Sequence, residues 1–338
     1  MNTVLLVAAK RSHSAGASYD ILSIRGLNMM RLSCLHSAKY FLGEVEHQYD
    51  DVDVFHSVLA EYGLPNMPKL FAWGGYRTSA KTIFEMAFES MQQTLAGAPI
   101  EPQEVDLVII CSSDFSPVDE TLSYSQLLLS LGMERAFPMG VTVSDCANLL
   151  SVLDMAKQFI ESGKYQHILL VTSNKIRDER HRFQDYALFS DGAASFMVSD
   201  KKALSEVPED GLNIVDSQVN AHLQLKVAGE DIDDTPLFTT TAQQLMDRNH
   251  LTIRDLSKVF SNNLYMPVIT LKEGSIGVSK TQLYLDNIAR FGHCFSADSI
   301  INLVDYMACS TAAHGEYFAL HSSASGLRAQ VLLQACRD

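Results

Sequence analysis

The chain has 338 residues, 47% of them apolar and 20% charged, a balance that excludes a disordered or membrane-embedded chain and fits a globular protein of one large or two ordinary domains. A net charge of −14 speaks against broad binding to nucleic acid or anionic membrane. Six cysteines are scattered without a C-x-x-C pair, which argues against a zinc site or a disulfide framework and makes a reducing cytoplasm the expected setting.

Residues 3–9 read as a buried strand. The run is too short to cross a membrane and has no basic flank ahead of it, so no signal peptide is expected. Residues 10–75 carry no interpretable motif, with helices expected around 26–43 and 50–61. Gly74-Gly75 and Arg77 mark a turn before a helix at 80–96, in which Ile83, Ala87, Met91 and Leu95 recur in steps of four. Residues 105–111 form a buried-strand pattern. The polar loop 112–119 follows at the strand's C-terminal end, where α/β proteins place ligands. A helix at about 121–131 comes next.

The chain is organised around residues 139–150. Val141 and Val143 alternate like a strand, then Leu149, Leu150, Leu153, Ala156 and Ile160 take helical spacing, with Gly163 at the capping position. Cys146 stands at the joint, where free N–H groups and the helix dipole favour a negatively charged sulfur. The competing reading is a plain buried thiol, because small residues are common at helix starts.

Residues 167–173 form another strand. The charge run 174–182 (NKIRDERHR) reads as a solvated loop, or more sharply as a docking patch for an acidic carrier. A glycine turn at Gly192 opens a strand to about 198, and a further strand begins at Leu212. Residues 256–263 end one helix or strand, a helix spans about 280–290, and Gly292-His293 precedes a helix at 297–309. Strands at 317–321 and 329–336 flank the turn Ser325-Gly326. His314 falls on a surface turn; His321 ends a strand and has a weaker claim to the site.

The order strand–Cys146–helix–strand–Gly192 resembles the later order His293–helix–strand–Gly326. Two similar halves are expected, 1–202 with the nucleophile and 203–338 with the histidine, bringing Cys146 and His293 together at their interface.

These residues resemble a known family. Ser144-Asp145-Cys146-Ala147-Asn148-Leu149 is similar to the Asp-x-x-x-x-Cys-Ala-Gly-Phe stretch of the thiolase superfamily, in its β-ketoacyl-acyl carrier protein synthase III branch. Leu188-Phe189-Ser190-Asp191-Gly192-Ala193-Ala194 is close to that branch's Leu-Phe-Gly-Asp-Gly-Ala-Gly, and Ser323-Ala324-Ser325-Gly326-Leu327 falls at its glycine-rich turn. The likeness runs from about residue 75 onwards. It implies a five-layered αβαβα fold of two duplicated halves, working as a homodimer or as a heterodimer with a homologue. It also implies a cysteine that takes an acyl group from a coenzyme A or acyl carrier protein thioester and passes it to a second, small-molecule substrate. No bound cofactor and no metal are implied.

The departures are informative. Phe260 occupies the position of the family's usual histidine, ahead of Asn263, and His293 stands at its asparagine position. The resemblance places the oxyanion donors at Cys146 and the Ser325-Gly326 turn, with Asn263 as a further substrate-binding group. One imidazole suffices to move a proton for acyl transfer. Decarboxylative condensation needs two donors on the developing enolate, and loss of one costs about 3–4 kcal/mol. The expected activity is therefore that of an acyltransferase or condensing enzyme working through Cys146 and His293, with transfer to an amine, hydroxyl or preformed carbon nucleophile at least as well supported as chain elongation, in specialised-metabolite, polyketide or fatty-acyl biosynthesis. The alternative is a catalytically degenerate subunit that partners an active homologue.

Overall fold

The computed structural model describes residues 31–113, 120–228 and 233–336, so the strand expected over 3–9 and most of the loop 112–119 lie outside the described residues. The strands are β1 (Ser33–Leu42), β2 (Val45–Gln48), β3 (Gly75–Thr78), β4 (Leu107–Cys111), β5 (Phe137–Val141), β6 (His167–Asn174), β7 (Gly192–Asp200), β8 (Leu212–Ala221), β9 (Leu256–Phe260), β10 (Tyr317–Ala324) and β11 (Leu327–Ala335). The helices are α1 (Phe55–Glu61), α2 (Pro68–Phe71), α3 (Ile83–Gly97), α4 (Glu120–Ser130), α5 (Asn148–Glu161), α6 (Leu223–Ala228), α7 (Thr235–Arg248), α8 (Met266–Gly274), α9 (Asp286–Phe291) and α10 (Asp298–Cys309).

Nine strands run in the order β5-β4-β6-β7-β1-β8-β11-β10-β9. The join between β1 and β8 is short, Cys34↔Asn213 and Leu35↔Leu212, so the sheet consists of two half-sheets meeting at one edge. Each half repeats the same pairing. β4 is parallel to β6, which is antiparallel to β7, which is antiparallel to β1. In the second half β9 is parallel to β10, which is antiparallel to β11, which is antiparallel to β8. β5 lies parallel on β4, and its counterpart beside β9 is reduced to a single parallel bridge, Val259↔Leu283.

The half-sheets enclose α5 and α10. One core gathers Leu149, Leu153 and Ile160 of α5 and Ile300, Ile301 and Leu303 of α10 with Ile109, Leu170 and Phe196 of the first half and Phe318, Leu320 and Val331 of the second. The opposite face of β4 meets α3 through Val108, Ile110, Met86 and Met91. The outer face of the second half meets α7 through Ala319, Leu332, Leu245 and Met246. Five layers result, α3/α4, sheet, α5/α10, sheet and α7. Strands covered on both faces explain the unbroken apolar run at 107–111.

Two expectations fail for identifiable reasons. Residues 33–42 form a central strand where a helix was expected: the strand is buried on both sides and its register shifts between His36 and Lys39, which erases any period-2 signal. The helix expected at 280–290 shrinks to Asp286–Phe291, because Leu283 is drawn into its bridge with Val259.

Candidate active site

The turn between β5 and α5 presents Cys146. Val143 (φ 72°) and Asp145 (φ 48°) adopt left-handed backbone, a costly conformation for a β-branched residue such as Val143. The Ala147 N–H closes the turn on the Ser144 carbonyl at 2.9 Å, and the Asn148 side chain accepts from the Ser144 N–H at 3.0 Å. Ser322 of β10 donates its hydroxyl to the Cys146 carbonyl, which ties the Cys146 turn to the second half-sheet. The sulfur itself is half-buried.

His293 arrives from the turn between α9 and α10. Gly292 (φ 62°) lies so close to the Leu188 carbonyl that a Cβ there would sit 2.2 Å from its oxygen, so only glycine fits. The His293 N–H donates to Leu188 O at 2.7 Å, and the Ser190 N–H donates to His293 O at 2.9 Å, locking the histidine onto the 188–190 segment. The rings of Phe189 and Phe295 flank the imidazole at 4.9 and 5.9 Å. Its Nε2 stands 3.2 Å from Cys146 Sγ, and its Nδ1 donates to the buried carboxylate of Asp298, the first residue of α10.

Asp298 also accepts from the Cys294 N–H at 2.6 Å, the Asn263 N–H at 2.7 Å and Asn263 Nδ2 at 3.4 Å. Burial alone pushes the His293 imidazole down, but the Asp298 carboxylate and the Cys146 sulfur pull it up more strongly, to about 10. Sulfur, imidazole and carboxylate thus follow one another through two hydrogen bonds, the order a base-activated nucleophile needs.

The family model for 3-oxoacyl-[acyl-carrier-protein (ACP)] synthase III matches residues 142–221, which carry the Cys146 turn and the strand that begins at Gly192. The β-ketoacyl-[acyl-carrier-protein] synthase III of Porphyra purpurea is 28% identical over 168 residues, 48% of this chain and 48% of that protein. The chain is thus matched over about half the length of its curated relatives. Among solved structures, the 3-oxoacyl-[acyl-carrier-protein] synthase III of Aquifex aeolicus VF5 superposes with a TM-score of 0.71 at 16% identity, covering 89% of this chain and 99% of that one. The acyltransferase ChlB3 does so with a TM-score of 0.75 at 13% identity, covering 90% and 98%. At such identities the structures show the fold alone.

The chain resembles the synthase III family over residues 142–221 and has the fold of its solved members.

The other expected positions of this synthase III-like chain lie as follows. Phe260 is a fully buried core side chain against the rings of Tyr306, Tyr284 and Phe318. Asn263 is placed on Asp298, with its Oδ1 accepting from Asn302 Nδ2 at 2.9 Å. Ser325 and Gly326 form the tight turn of the β10–β11 hairpin, where Gly326 has φ 68° and Ser325 Oγ donates to Leu225 O at 3.2 Å. This hairpin meets the Cys146 turn through Ser322. His321 points to the other face of β10, where its Nδ1 lies 2.8 Å from the buried Glu273, itself paired with Arg328. The charge run 174–182 folds inward in part. Arg182 is fully buried between Asp191 and Glu179 at 2.6 Å each, and Lys175 donates to the carbonyls of Ser79 and Lys81.

Sequence reasoning missed Asp298, Ser322 and Asn262. Asp298 left a signal, a carboxylate five residues after His293 at the start of an expected helix, which also fits an ordinary helix-start acid. Asn262 accepts from the Ser323 N–H at 2.8 Å and reaches the Phe295 carbonyl at 3.5 Å, beside the histidine. No sequence spacing announces it. Among the described residues no group of His, Cys, Asp and Glu is arranged to hold a metal ion, and no helix is long and apolar enough to cross a membrane.

Proposed function

We propose that this chain is an acyltransferase that loads an acyl group from a coenzyme A or carrier-protein thioester onto Cys146 and passes it to an amine, hydroxyl or carbon nucleophile. The observation that carries the reading is the line Cys146 Sγ–His293 Nε2 at 3.2 Å with His293 Nδ1 on Asp298. In the first step the sulfur attacks the thioester carbonyl, and the departing thiolate takes the proton from Nε2. The oxyanion is held by backbone N–H groups at Cys146 and the Ser325-Gly326 turn. Acylation removes the negative sulfur that had helped to hold the proton on His293, leaving Asp298 as its main support. The freed imidazole then takes the acceptor's proton as it attacks, and the Cys146 thiolate leaves.

Transfer is favoured over decarboxylative condensation because Phe260 offers no donor and Asn263 is engaged by Asp298 and Asn302. The chain is read as two pseudo-repeats dividing near residue 202, in a cytoplasmic setting. β5 ends the sheet and Phe137 on it is 60% exposed, which supports pairing with a second copy or a homologue across that edge. Intact-mass spectrometry after incubation with acyl-coenzyme A and acyl carrier protein donors tests the reading. An acyl adduct that amine or hydroxyl acceptors discharge, with no carbon dioxide released from malonyl thioesters, is expected. No adduct from any donor leaves the scaffold-subunit reading in its place.

A further inference from the structure

Asp298 is a fully buried carboxylate whose hydrogen-bond partners among the described residues are an imidazole and N–H groups, with no lysine or arginine among them. Burying such a charge is costly unless donors converge on it. Behind Asn263 these donors continue as a chain of buried amides. Asn302 Nδ2 on α10 donates to Asn263 Oδ1 at 2.9 Å and to Ser261 O at 3.0 Å. Asn287 Nδ2 on α9 donates to Asn302 Oδ1 at 2.9 Å, and Arg290 Nη1 donates to Asn287 Oδ1 at 2.8 Å. Asn263, Asn287 and Asn302 are each at most 2% exposed, whereas the Arg290 side chain is 55% exposed.

The two ends fix the direction of every link. A guanidinium only donates and a carboxylate only accepts, so each amide between them must turn its oxygen towards Arg290 and its nitrogen towards Asp298. Three amide dipoles are therefore aligned head to tail between a surface cation and the buried anion of the triad. In surroundings of low dielectric such bonds polarise one another.

We infer that Asn302 and Asn287 are positioning residues that couple Arg290 to Asp298 and so hold the carboxylate charged and aimed at His293. The inference rests on the triad reading of Cys146, His293 and Asp298, but not on the identity of the acyl donor. The groups facing the triad are Cys294, with the Asp191–Arg182 ion pair beyond it, while Arg290 faces Asp305, Tyr40 and Tyr284. A purely structural amide chain would cross-link α9, α10 and the segment after β9 without transmitting charge.

The test measures alkylation of Cys146 by iodoacetamide against pH in the full chain, a readout that needs no acyl donor, alongside kcat and KM for thioester turnover. Loss of the cation makes the negative sulfur harder to form, so Arg290→Leu shifts the acid limb of the alkylation profile upward by about 0.3–0.5 pH units, and Arg290→Lys restores it. Asn302→Leu lowers kcat about tenfold with KM little changed, the scale of a lost bond to a buried charged network. In the Asn302→Leu background Arg290→Leu has no further effect on the profile, because the link is already cut. An unshifted profile in Arg290→Leu, or full additivity in the double variant, overturns the inference. Should Asn302→Leu fail to fold, the Arg290→Leu and Arg290→Lys pair decides alone. A normal alkylation profile with no thioester turnover in the parent chain would instead count against the acyl-transfer reading.

Discussion

The two halves of the molecule build the same elbow and use it differently. In the first, the turn Asp145–Ala147 leads into α5. In the second, Phe295–Ala297 leads into α10. Asp145 and Phe295 take nearly the same left-handed backbone, φ 48° and 52°. The residue opening each helix reaches back four positions to cap a backbone N–H: Asn148 accepts from Ser144 at 3.0 Å and Asp298 from Cys294 at 2.6 Å. By this matching Cys146 corresponds to buried Ser296, whose hydroxyl lies 2.6 Å from that of Thr172, and His293 corresponds to Val143, which is 75% exposed. Cys146 and His293 are therefore offset by three residues in the repeat rather than equivalent. One elbow carries the cysteine, and the other carries a histidine and an aspartate where its twin has valine and asparagine; on the proposed function these are the nucleophile, its base and the orienting carboxylate.

The sharpest way to break this contrast is to erase it. Asp298→Asn gives the second elbow the residue of the first and keeps an acceptor for the Cys294 N–H. It removes the charge that holds the imidazolium and lets an amide N–H turn towards Nδ1. A fall in acylation rate of about 10³-fold or more is expected, by analogy with carboxylate loss in other triads, and rapid-quench measurement of adduct formation reads it. A fall of only a few-fold would make Asp298 a structural cap like Asn148.

The second test is pH. The folded-state value of His293 is raised from its ordinary 6.5 to about 10, chiefly against burial by Asp298 and Cys146. Its contribution to stability is thus fully present below about 6.5 and lost as pH rises through 10. Denaturant unfolding across that window is expected to show declining stability in the parent chain and a flatter profile in His293→Gln. Equal slopes in the two would contradict the buried ion pair. The smallest effect is expected from the reverse exchange, Asn148→Asp, which puts a carboxylate on the Ser144 N–H, two residues along the chain from Cys146. Repulsion between this buried carboxylate and the half-buried Cys146 slows its alkylation at neutral pH about three- to tenfold.

Much of this elbow was legible in sequence, because Cys146 sits where a strand period gives way to a helical one and Gly192 lies in a specific motif. The order within the repeat and the family pattern both point to His293, although the repeat reading sets it at the point corresponding to Cys146 and the structure puts it three residues earlier. Asp298 was not singled out, since an acid at a helix start is what the dipole alone would select. The central strand Ser33–Leu42 escaped for a different reason: a strand covered on both faces and bulged between His36 and Lys39 has no periodicity to read. Asn262, Asn287 and Asn302 acquire meaning only when separate elements converge, which no local pattern encodes.

The central claim, that Cys146 is the covalent carrier and His293, oriented by Asp298, moves its proton, is tested most directly by peptide-level mass spectrometry of protein trapped with an acyl thioester. The expected result is an acyl group on the peptide containing Cys146, absent in Cys146→Ala and strongly depleted in His293→Gln and Asp298→Asn. Acylation that maps to the exposed Cys309 or to Cys336 instead, or that proceeds at the parental rate in His293→Gln, would contradict it.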